Sequence, residues 1–467
     1  MTVVLHEFRI AQIMRLEKLD DPTRPPTVLT RNRATYGAET GGEVVDRLRC
    51  KKRDSMERRA WLKSVAAGAS IATTPRLLFA ERLDWPTWRG PSRNGVVEGA
   101  WPDSLDEKSL VPLWSRPLGD SYSGPIASGD LVFTTESKAG RESVYALSVM
   151  DGEVRWQVEW KGTLNVPFFA ARNGNWIRAT PATDGKTLFV GGIRDVLVAL
   201  DTATGEEKWR VDFAERFGKV PDFGMVCSPI VDGAHLYIQA GKGLHKLRCD
   251  DGTILWSSLQ DAGDMMTSGA FSSPIIGELH GVRQLLVQTR TFLAGVNLES
   301  GEPYWKYEVA AFRGMNILTP TLWKNALFTS SYGGRSLLID IEENRSPKIR
   351  WENKIEGYMS SPVVLGNYLY MHLRNKRFAC LDLSTGKEAW ISKPFGEYWS
   401  LVTNGDRILA LDQDGTLRLI QHNPLELQVL SERALTTNEE EAWAHVGLLQ
   451  GKVMVRSQKG MTVYSWS

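Results

Sequence analysis

The sequence predicts an all-β protein, an eight-bladed β-propeller made of four-stranded antiparallel blades. Three observations predict it. The chain has 467 residues, which is too long for one ordinary core unless repeats or several domains account for it. It contains 42 Gly and 17 Trp, a composition typical of many tight turns and one large apolar anchor used repeatedly. A short phrase ending in Trp recurs along the chain at intervals of roughly 45 residues, as repeat architectures require.

The clearest copy of this phrase spans residues 199–209, where an apolar strand is followed by Asp201, a Thr-Gly turn and Trp209. Gly205 can adopt the positive φ that a tight hairpin needs. We interpret the Trp as an apolar cover for its own hairpin. The tryptophans assigned this structural role are Trp114, Trp156, Trp209, Trp256, Trp305, Trp351 and Trp390.

A second phrase, a small residue followed by Pro and apolar residues, precedes each Trp phrase and marks the first strand of a unit. Two degenerate units follow the last clear one, and the final unit has only three strands before the chain ends at Ser467. We expect the strand at 110–114, which has Trp114 but no strands before it, to pair with 461–464. Closure with strands from both ends of the chain would leave the ring without a free edge.

The N-terminal region differs in composition from the repeats. Arg58 and Arg59 precede a mildly apolar run that ends in a small residue at Ala80, a pattern that resembles a twin-arginine export signal. A short amphipathic helix is the alternative. We therefore divide the chain into a non-native or disordered extension (1–55), a signal peptide (56–80), a leader strap (81–109) and the propeller (110–467). The predicted location is the periplasm or the cell exterior.

Charge and cysteine content exclude several functions. The formal net charge is +1, and the chain without residues 1–80 is mildly acidic, so nucleic-acid binding is not expected. The four cysteines contain no C-x-x-C pair, so neither haem attachment nor a cysteine zinc site is supported. We expect no metal, no membrane-spanning segment in the mature chain and a monomer.

The Leu-Asp-x-x-Thr-Gly-x-x-x-Trp phrase of residues 200–209 resembles the repeat of the pyrroloquinoline-quinone (PQQ)-type propellers. That family includes quinone-dependent alcohol dehydrogenases and the non-enzymatic, BamB-like outer-membrane assembly lipoproteins. The resemblance covers about 110–467 and implies the fold. Dehydrogenases of the family carry an adjacent cysteine pair near the quinone, which this sequence lacks.

Ligands of propellers bind at one mouth of the central channel, so residues before each Pro phrase are the candidate site. They are largely aromatic or Met, with two arginines and two glutamates, Glu397 and Glu441. Plugging of the channel, contact with a partner or ligand, and catalysis remain alternatives. We expect an exported, non-enzymatic scaffold for a protein or peptide partner without a cofactor; the alternative is a PQQ-dependent alcohol or sugar dehydrogenase with calcium. The candidate residues are Tyr122, Trp176, Arg178, Met225, Met266, Arg313, Asn316, Tyr358, Tyr398 and Trp443.

Overall fold

Each repeat unit folds into one four-stranded antiparallel sheet in the computed structural model, which describes residues 84–167, 174–261, 263–264, 267–436 and 440–467. Within these residues there are eight such sheets, which confirms the predicted eight-bladed propeller. The first strand of each of the first six blades follows the small residue of the Pro phrase, and the fourth strand carries the repeated Trp in every blade except the seventh. The apolar residues of the strands are buried between adjacent blades, because a four-stranded sheet cannot cover both of its own faces.

The strands run in chain order within each blade, except in the last. The first four blades are β2 (Ile126–Ser128), β3 (Leu131–Lys138), β4 (Arg141–Ser148) and β5 (Val154–Lys161); β6 (Ala182–Thr183), β7 (Thr187–Gly192), β8 (Val196–Asp201) and β9 (Glu207–Asp212); β10 (Ile230–Asp232), β11 (His235–Ala240), β12 (Gly243–Arg248) and β13 (Ile254–Ser258); and β14 (Ile275–Leu279), β15 (Val282–Gln288), β16 (Phe292–Val296) and β17 (Pro303–Glu308). A short helix, Phe213–Phe217, follows β9, and one 3-10 turn, Phe312–Gly314, follows β17.

The other four blades include the one that closes the ring. They are β18 (Thr321–Trp323), β19 (Ala326–Ser330), β20 (Ser336–Ile341) and β21 (Pro347–Asn353); β22 (Val363–Leu365), β23 (Tyr368–His372), β24 (Phe378–Asp382) and β25 (Glu388–Ile391); β26 (Ser400–Thr403), β27 (Arg407–Leu411), β28 (Thr416–Gln421) and β29 (Val429–Ala434); and β30 (Gly447–Leu449), β31 (Lys452–Arg456), β32 (Gly460–Trp466) and β1 (Leu110–Pro117). No helix of the described residues is long and apolar enough to cross a membrane.

The eighth blade joins the two ends of the propeller, as the sequence predicts. Strand β1 pairs antiparallel with β32, so that Leu110 lies opposite Trp466 and Trp114 opposite Val463. The register shifts between Pro112 and Trp114. Because β1 is the outermost strand of this blade, its hydrogen bonds hold the first and last blades of the ring together.

The repeated tryptophans connect neighbouring blades, which corrects the expectation that each covers its own hairpin. Trp156 of blade 1 lies against Gly205 in the β8–β9 turn of blade 2, and a Cβ added to Gly205 would be 2.7 Å from the indole. The Trp156 indole N–H donates to the carbonyl oxygen of Thr202 in the same turn at 2.9 Å. Gly205 has φ +76°, so glycine both adopts the turn and leaves room for the ring. The same Trp–Gly pairs are Trp114–Gly152, Trp209–Gly252, Trp256–Gly301 and Trp351–Gly386.

Two positions depart from this interblade arrangement for reasons visible in the sequence. The β20–β21 turn of blade 5 has no Gly, and Trp305 of blade 4 instead donates to Gln284 Oε1 of its own blade at 2.9 Å. Blade 7 has Leu430 where the other blades have Trp, and this side chain is 37% exposed. Blade 8 joins β32 to β1 from opposite ends of the chain, so it has no β-turn to receive a ring there.

Polar side chains at the ends of central strands also link adjacent blades. Asp195 follows β7 in blade 2 and accepts a hydrogen bond from the Gly241 N–H in blade 3 at 2.6 Å through Oδ2. Burial raises the pKa of the Asp195 carboxyl to about 7. Arg456 of blade 8 donates to the carbonyl oxygens of Gly119 and Thr135, which belong to the start of blade 1. These contacts hold blades together at the side of the channel where the inner strands begin.

Candidate functional site: a closed funnel in the channel

Two rings of side chains surround the channel where the inner strands begin. Each blade contributes one residue to each ring. One ring contains the small residue of the Pro phrase, or the residue at the equivalent position in blades 7 and 8. The other ring contains the residue two positions earlier. Alternation along extended chain points both side chains to the same side, into the channel. The lower ring consists of Gly124, Thr180, Ser228, Ser273, Thr319, Ser361, Ser400 and His445, and the upper ring of Tyr122, Arg178, Val226, Phe271, Ile317, Met359, Tyr398 and Trp443.

These rings enclose a cavity of about 210 Å³, which we call the funnel. At about 30 Å³ per water molecule, it has room for roughly seven waters or one large amino-acid side chain. All members of both rings except Gly124 line it, together with Trp88 and Trp399. No Asp or Glu of the described residues is among the lining side chains.

The lower ring is held by hydrogen bonds that pass from blade to blade. The Gly124 N–H donates to Thr180 Oγ1 at 2.9 Å, and the Thr180 N–H donates to Ser228 Oγ at 3.0 Å. The Ser228 N–H donates in turn to Ser273 Oγ at 2.9 Å. Each hydroxyl oxygen therefore satisfies a buried backbone donor of the preceding blade, which a channel-lining apolar residue could not do.

Aromatic side chains form a continuous arc around the mouth of the funnel. Adjacent ring centroids in the arc lie 4.7 to 5.8 Å apart, the distances of favourable aromatic pairs. Three of these rings, those of Tyr122, Tyr398 and Trp443, also line the funnel. The aromatic arc consists, in order, of Trp176, Tyr122, Trp443, Tyr398, Tyr358, Tyr332 and Phe312.

Arg178 is the cationic member of the upper ring. Its guanidinium lies 5.5 Å from the Tyr122 ring centroid, and its Nη2 donates to the Gly174 carbonyl oxygen at 2.9 Å. Burial lowers the pKa of Arg178 and raises that of Tyr122 to about 12. The two glutamates of the predicted mouth have these contacts: Glu397 pairs with Lys376 at 2.8 Å, and Glu441 accepts from the Trp443 indole at 2.6 Å.

The leader strap crosses the channel and forms the floor of the funnel. Trp85 pairs antiparallel with Ala127 in β2, and the Val97 N–H donates to the Thr403 carbonyl oxygen in β26 at 2.9 Å. Both contacts lie towards the far ends of the inner strands, away from the upper ring. The Trp88 ring lines the funnel from below, 5.9 Å from the His445 ring. The channel is therefore closed on the side of the leader strap.

Two arginines of the leader strap attach it to opposite sides of the propeller. Arg93 donates to the carbonyl oxygens of Pro229 at 2.5 Å and Ser228 at 3.0 Å, both in blade 3. Arg89 donates to the carbonyl oxygen of Pro362 in blade 6. Both side chains are 1% exposed, and their guanidinium carbons lie 5.7 and 5.6 Å from the Trp88 ring centroid. Burial lowers the pKa of Arg89 to about 9 and that of Arg93 to about 10, so both are cationic at neutral pH.

Comparison with known proteins decides the family. A family model described as outer membrane protein assembly factor BamB, of the PQQ-type repeats, matches residues 98–158 and 140–392, more than half of the chain. The chain belongs to the BamB family. It is 22% identical to the outer membrane protein assembly factor BamB of Yersinia pestis over 316 residues, which cover 63% of this chain and 74% of that protein.

Solved structures with this fold include BamB and enzymes. The BamB crystal structure from Moraxella catarrhalis superposes with a TM-score of 0.56 at 17% identity, covering 76% of this chain and 99% of that one. A europium-containing methanol dehydrogenase gives a TM-score of 0.60 at 13% identity, covering 80% of this chain and 89% of that one. At these identities both superpositions show the shared fold alone.

The structure brings six of the candidate residues of this BamB-family chain together and separates three others from them. Tyr122, Arg178, Tyr398 and Trp443 line the funnel, and Trp176 and Tyr358 extend the aromatic arc. Met266 and the signal arginines Arg58 and Arg59 lie outside the described residues. That these residues bind a partner remains a prediction.

Three candidate residues lie elsewhere than predicted at the funnel. Met225 is 2% exposed and packs in the core between blades 2 and 3. Asn316 is 1% exposed, and its Nδ2 donates to the carbonyl oxygens of Arg290 and Val309. For both, the predicted position was one residue too early in the sequence. Because successive side chains of an extended chain point to opposite faces, this error exchanged a channel-facing residue for a core residue. Arg313 is exposed on the 3-10 turn, 5.1 Å from the Phe312 ring.

Sequence reasoning missed the residues at the correct register. Val226, Phe271 and Ile317 each lie two positions before the small residue of the Pro phrase, and counting back from that residue in every unit would have found them. The position of Trp88 could not be predicted by this counting, because Trp88 reaches the funnel from the leader strap, which lies outside the repeats.

The enzymatic branch of the fold family implies a quinone and a calcium ion, and the side chains that line the funnel can be compared with the ligands that these require. Calcium is held by six to eight oxygen ligands, carboxylates among them. The described lining offers hydroxyl groups, aromatic rings and Arg178, but no carboxylate. The described residues contain no group of three His, Cys, Asp or Glu side chains suited to a metal. These residues do not fit a calcium–quinone pair, and the absence of a cofactor remains a prediction.

Proposed function

We propose that this chain is an exported, non-enzymatic scaffold that receives a segment of a protein partner in its funnel. The observation that carries the proposal is the closed funnel with the aromatic arc around its mouth. Its capacity matches one inserted side chain, and the arc offers flat surfaces to the residues on either side. Interfaces draw most of their binding energy from aromatic and arginine side chains grouped around a desolvated pocket.

The family membership supports the same function. The curated relatives are named outer membrane protein assembly factors, which points to a scaffold acting on other proteins. We propose that the partner is a protein of the cell envelope. We also propose that this chain binds the partner as a monomer and does not bind nucleic acid. A scaffold needs a rigid, shaped surface and no reactive group, and the lower ring gives the funnel such a fixed frame.

Photo-crosslinking tests this proposal. Met359 lines the funnel, whereas Met150 is 70% exposed on the β4–β5 turn, far from it. A photoreactive amino acid is placed at either position in the native host. We expect one discrete envelope protein to be crosslinked at Met359 and not at Met150. The same product from both positions, or none at Met359, would contradict insertion into the funnel.

Export is part of the proposal and has its own test. Residues 56–80 are fused to a reporter that is active only outside the cytoplasm, with Arg58 and Arg59 intact or both replaced by Lys. We expect export of the first fusion only, since a twin-arginine signal depends on the pair. Equal export of both fusions would point to another route.

The PQQ-dependent dehydrogenase remains the alternative and has a direct test. Purified protein is incubated with PQQ and Ca²⁺, and dye-linked oxidation of primary alcohols and aldose sugars is followed. We expect no saturable quinone binding and no turnover, because the lining supplies no carboxylate for the ion. Saturable binding accompanied by dye reduction would favour the enzyme over the scaffold.

A further inference from the structure

We infer that the segment received by the funnel is acidic: a peptide carboxylate, from an Asp or Glu side chain or a chain end, beside a large apolar side chain. The inference rests on the proposed function and specifies the chemistry of its partner. Four features of the structure support the inference. They are the charges around the funnel, the electrostatic effect of these charges on its interior, the hydroxyl protons of the lower ring and the apolar side chains at the mouth.

The charged group in the funnel wall and those beside its floor are of one sign, and Glu441, which does not line the funnel, accepts from the Trp443 indole. Arg178 is part of the wall, and Arg89 and Arg93 lie directly behind the Trp88 floor. Within the described residues, the hydrogen bonds of the two strap arginines run to neutral oxygens, those of Asn94, Pro362, Thr87, Pro229 and Ser228. No carboxylate lines the described part of the funnel. Two buried cations thus stand behind its floor with only dipoles to neutralise them.

The strap arginines act on the interior of the funnel through its own lining. Arg93 donates to the Ser228 carbonyl, and Ser228 lines the funnel; the guanidinium carbons of Arg89 and Arg93 lie 5.6 and 5.7 Å from the centroid of the Trp88 ring, which also lines it. Charges surrounded by protein are screened far less than charges in water, and a concave site concentrates their field. An anion entering the funnel is therefore stabilised, and a cation is repelled.

The lower ring provides hydrogen-bond donors for that anion. The hydroxyl oxygens of Thr180, Ser228 and Ser361 accept from backbone N–H groups of neighbouring blades at 2.9, 3.0 and 3.3 Å. A hydroxyl that accepts through oxygen still has its proton to donate. Because these residues line the funnel, their O–H groups can turn towards a carboxylate, and such charge-assisted hydrogen bonds are stronger than neutral ones.

The mouth accepts an apolar neighbour of the carboxylate. Val226, Ile317 and Met359 line one part of the upper ring, and the aromatic arc covers another. A segment with only acids would leave this apolar surface in water, and a segment with only apolar residues would bring no negative charge near Arg89 and Arg93, which have neutral oxygens as hydrogen-bond partners. A carboxylate beside an aromatic or large aliphatic residue satisfies both.

Selection from a random-peptide phage library tests the inference before the partner is identified. The library is selected at low salt against the wild-type protein and against a double variant, Tyr398→Ser with Trp443→Ser. We expect wild-type protein to enrich peptides with Asp or Glu beside a large apolar residue. If wild-type protein enriches nothing beyond what the double variant enriches, the proposed function itself fails. Enrichment of peptides without acids overturns the inference and leaves the proposed function in place.

Synthetic peptides then measure the charge effect. The best selected peptide and its Glu→Gln or Asp→Asn counterpart are titrated against wild-type protein, and the acidic peptide should bind about fivefold to tenfold more tightly at low salt. Part of this difference should persist at high salt, where the Debye length is about 3 Å, because buried charges are screened less than exposed ones. Equal affinities at low salt would overturn the inference.

Variants locate the charge. Arg178→Gln should remove most of the preference for the acidic peptide, whereas Arg335→Gln should keep it, since Arg335 is an exposed partner of Glu352 outside the funnel. An unchanged preference in Arg178→Gln together with Arg93→Gln would place the carboxylate elsewhere and contradict the inference. The wild-type peptide comparison decides the matter even if a strap variant does not fold.

Discussion

The interblade Trp–Gly pairs and the upper ring of the funnel both recur from blade to blade, but the pairs keep their residue types and the upper ring does not. Around the outside, the same two residue types recur, Trp on one blade and Gly in the turn of the next, as in Trp156 and Gly205. In the upper ring the position recurs in every blade, but the residue changes from Tyr to Arg, Val, Phe, Ile, Met and Trp. Contacts that repeat their residue type serve the packing common to all blades, whereas a position whose residue varies can produce one asymmetric surface.

The lower ring lies between these extremes. Six of its eight members carry a hydroxyl, because each blade poses the same problem of a buried N–H group, and a hydroxyl of the next blade solves it. The comparison predicts that substitutions in the Trp–Gly pairs reduce stability and those in the upper ring reduce binding. Measurements of stability and binding on single variants test that division.

Gly205→Ala should lower the free energy of unfolding by about 3 kcal/mol. The new Cβ would meet the Trp156 ring at 2.7 Å, and a non-glycine residue at φ +76° is strained as well. Chemical denaturation measures the loss. Gly233→Ala is the matched control, because Gly233 has φ +59° but no atom within 4 Å of the added Cβ, and it should cost only about 1 kcal/mol. Equal losses would mean that the Trp contact contributes nothing.

Asp195→Asn should stabilise the protein above neutral pH by about 2 kcal/mol. Burial raises the folded-state pKa of Asp195 to about 7 from an ordinary value of 3.8, so the folded state holds a proton that the unfolded state has lost between these values. Stability contributed by this group is therefore present at low pH and lost as pH rises towards 7. Asn retains the acceptor for the Gly241 N–H without the buried charge.

Denaturation at several pH values checks this prediction. The gain of Asp195→Asn over wild type should grow from pH 4 to pH 7 and then stay level. Asp222→Asn serves as a control, since Asp222 forms a surface pair with the exposed Lys219. A gain that does not depend on pH would show that the Asp195 carboxyl is not neutral in the folded protein.

Tyr398→Ser should cost only about 1 kcal/mol of stability while weakening partner binding strongly. Tyr398 is half-buried and contacts Trp443 and Tyr358 at centroid distances of 4.7 and 5.8 Å, and such aromatic contacts contribute about 0.5–1.5 kcal/mol each. Thermal unfolding and crosslinking from Met359 are compared in the same variant. A large loss of stability with unchanged crosslinking would reverse the division between packing and binding regions.

Leu430→Trp should change the free energy of unfolding by less than about 0.5 kcal/mol. It restores the repeated residue in blade 7, but blade 8 has no Gly turn to receive the ring. The leader strap instead covers the contact between blades 7 and 8. There the Leu105 N–H donates to Ser431 Oγ at 3.0 Å, and the ring centroids of Trp101 and Trp466 lie 5.4 Å apart. Denaturation that shows a gain of about 2 kcal/mol or more would mean that a Trp site exists there.

The repeats were sufficient to predict the eight blades and the pairing of β1 with β32, because strand count and apolar alternation follow directly from local sequence. The partner of each Trp could not be predicted in the same way. Trp156 follows Gly152 in its own hairpin and precedes Gly205 of the next, and only the stacking of blades decides between them. Local spacing alone is compatible with either contact.

The funnel was predicted only in part, for two physical reasons. Its register depends on alternation, so an error of one position in Met225 and Asn316 exchanged the channel face for the core. The strap arginines bind carbonyl oxygens far away in the sequence, as Arg93 does at Pro229 and Arg89 at Pro362, and backbone acceptors leave no residue-type signal. Charge in the floor therefore became visible only in three dimensions.

Blocking the funnel with a bulky label tests whether the partner occupies it. Cys227, Cys249 and Cys380 are buried, so with Cys50→Ser a maleimide should react selectively at an introduced Met359→Cys or, as control, Met150→Cys. The readout is binding of the envelope protein identified by crosslinking. We expect the label at position 359 to abolish binding and the label at position 150 to leave it unchanged. Full binding by protein labelled at position 359 would contradict the claim that the partner occupies the funnel.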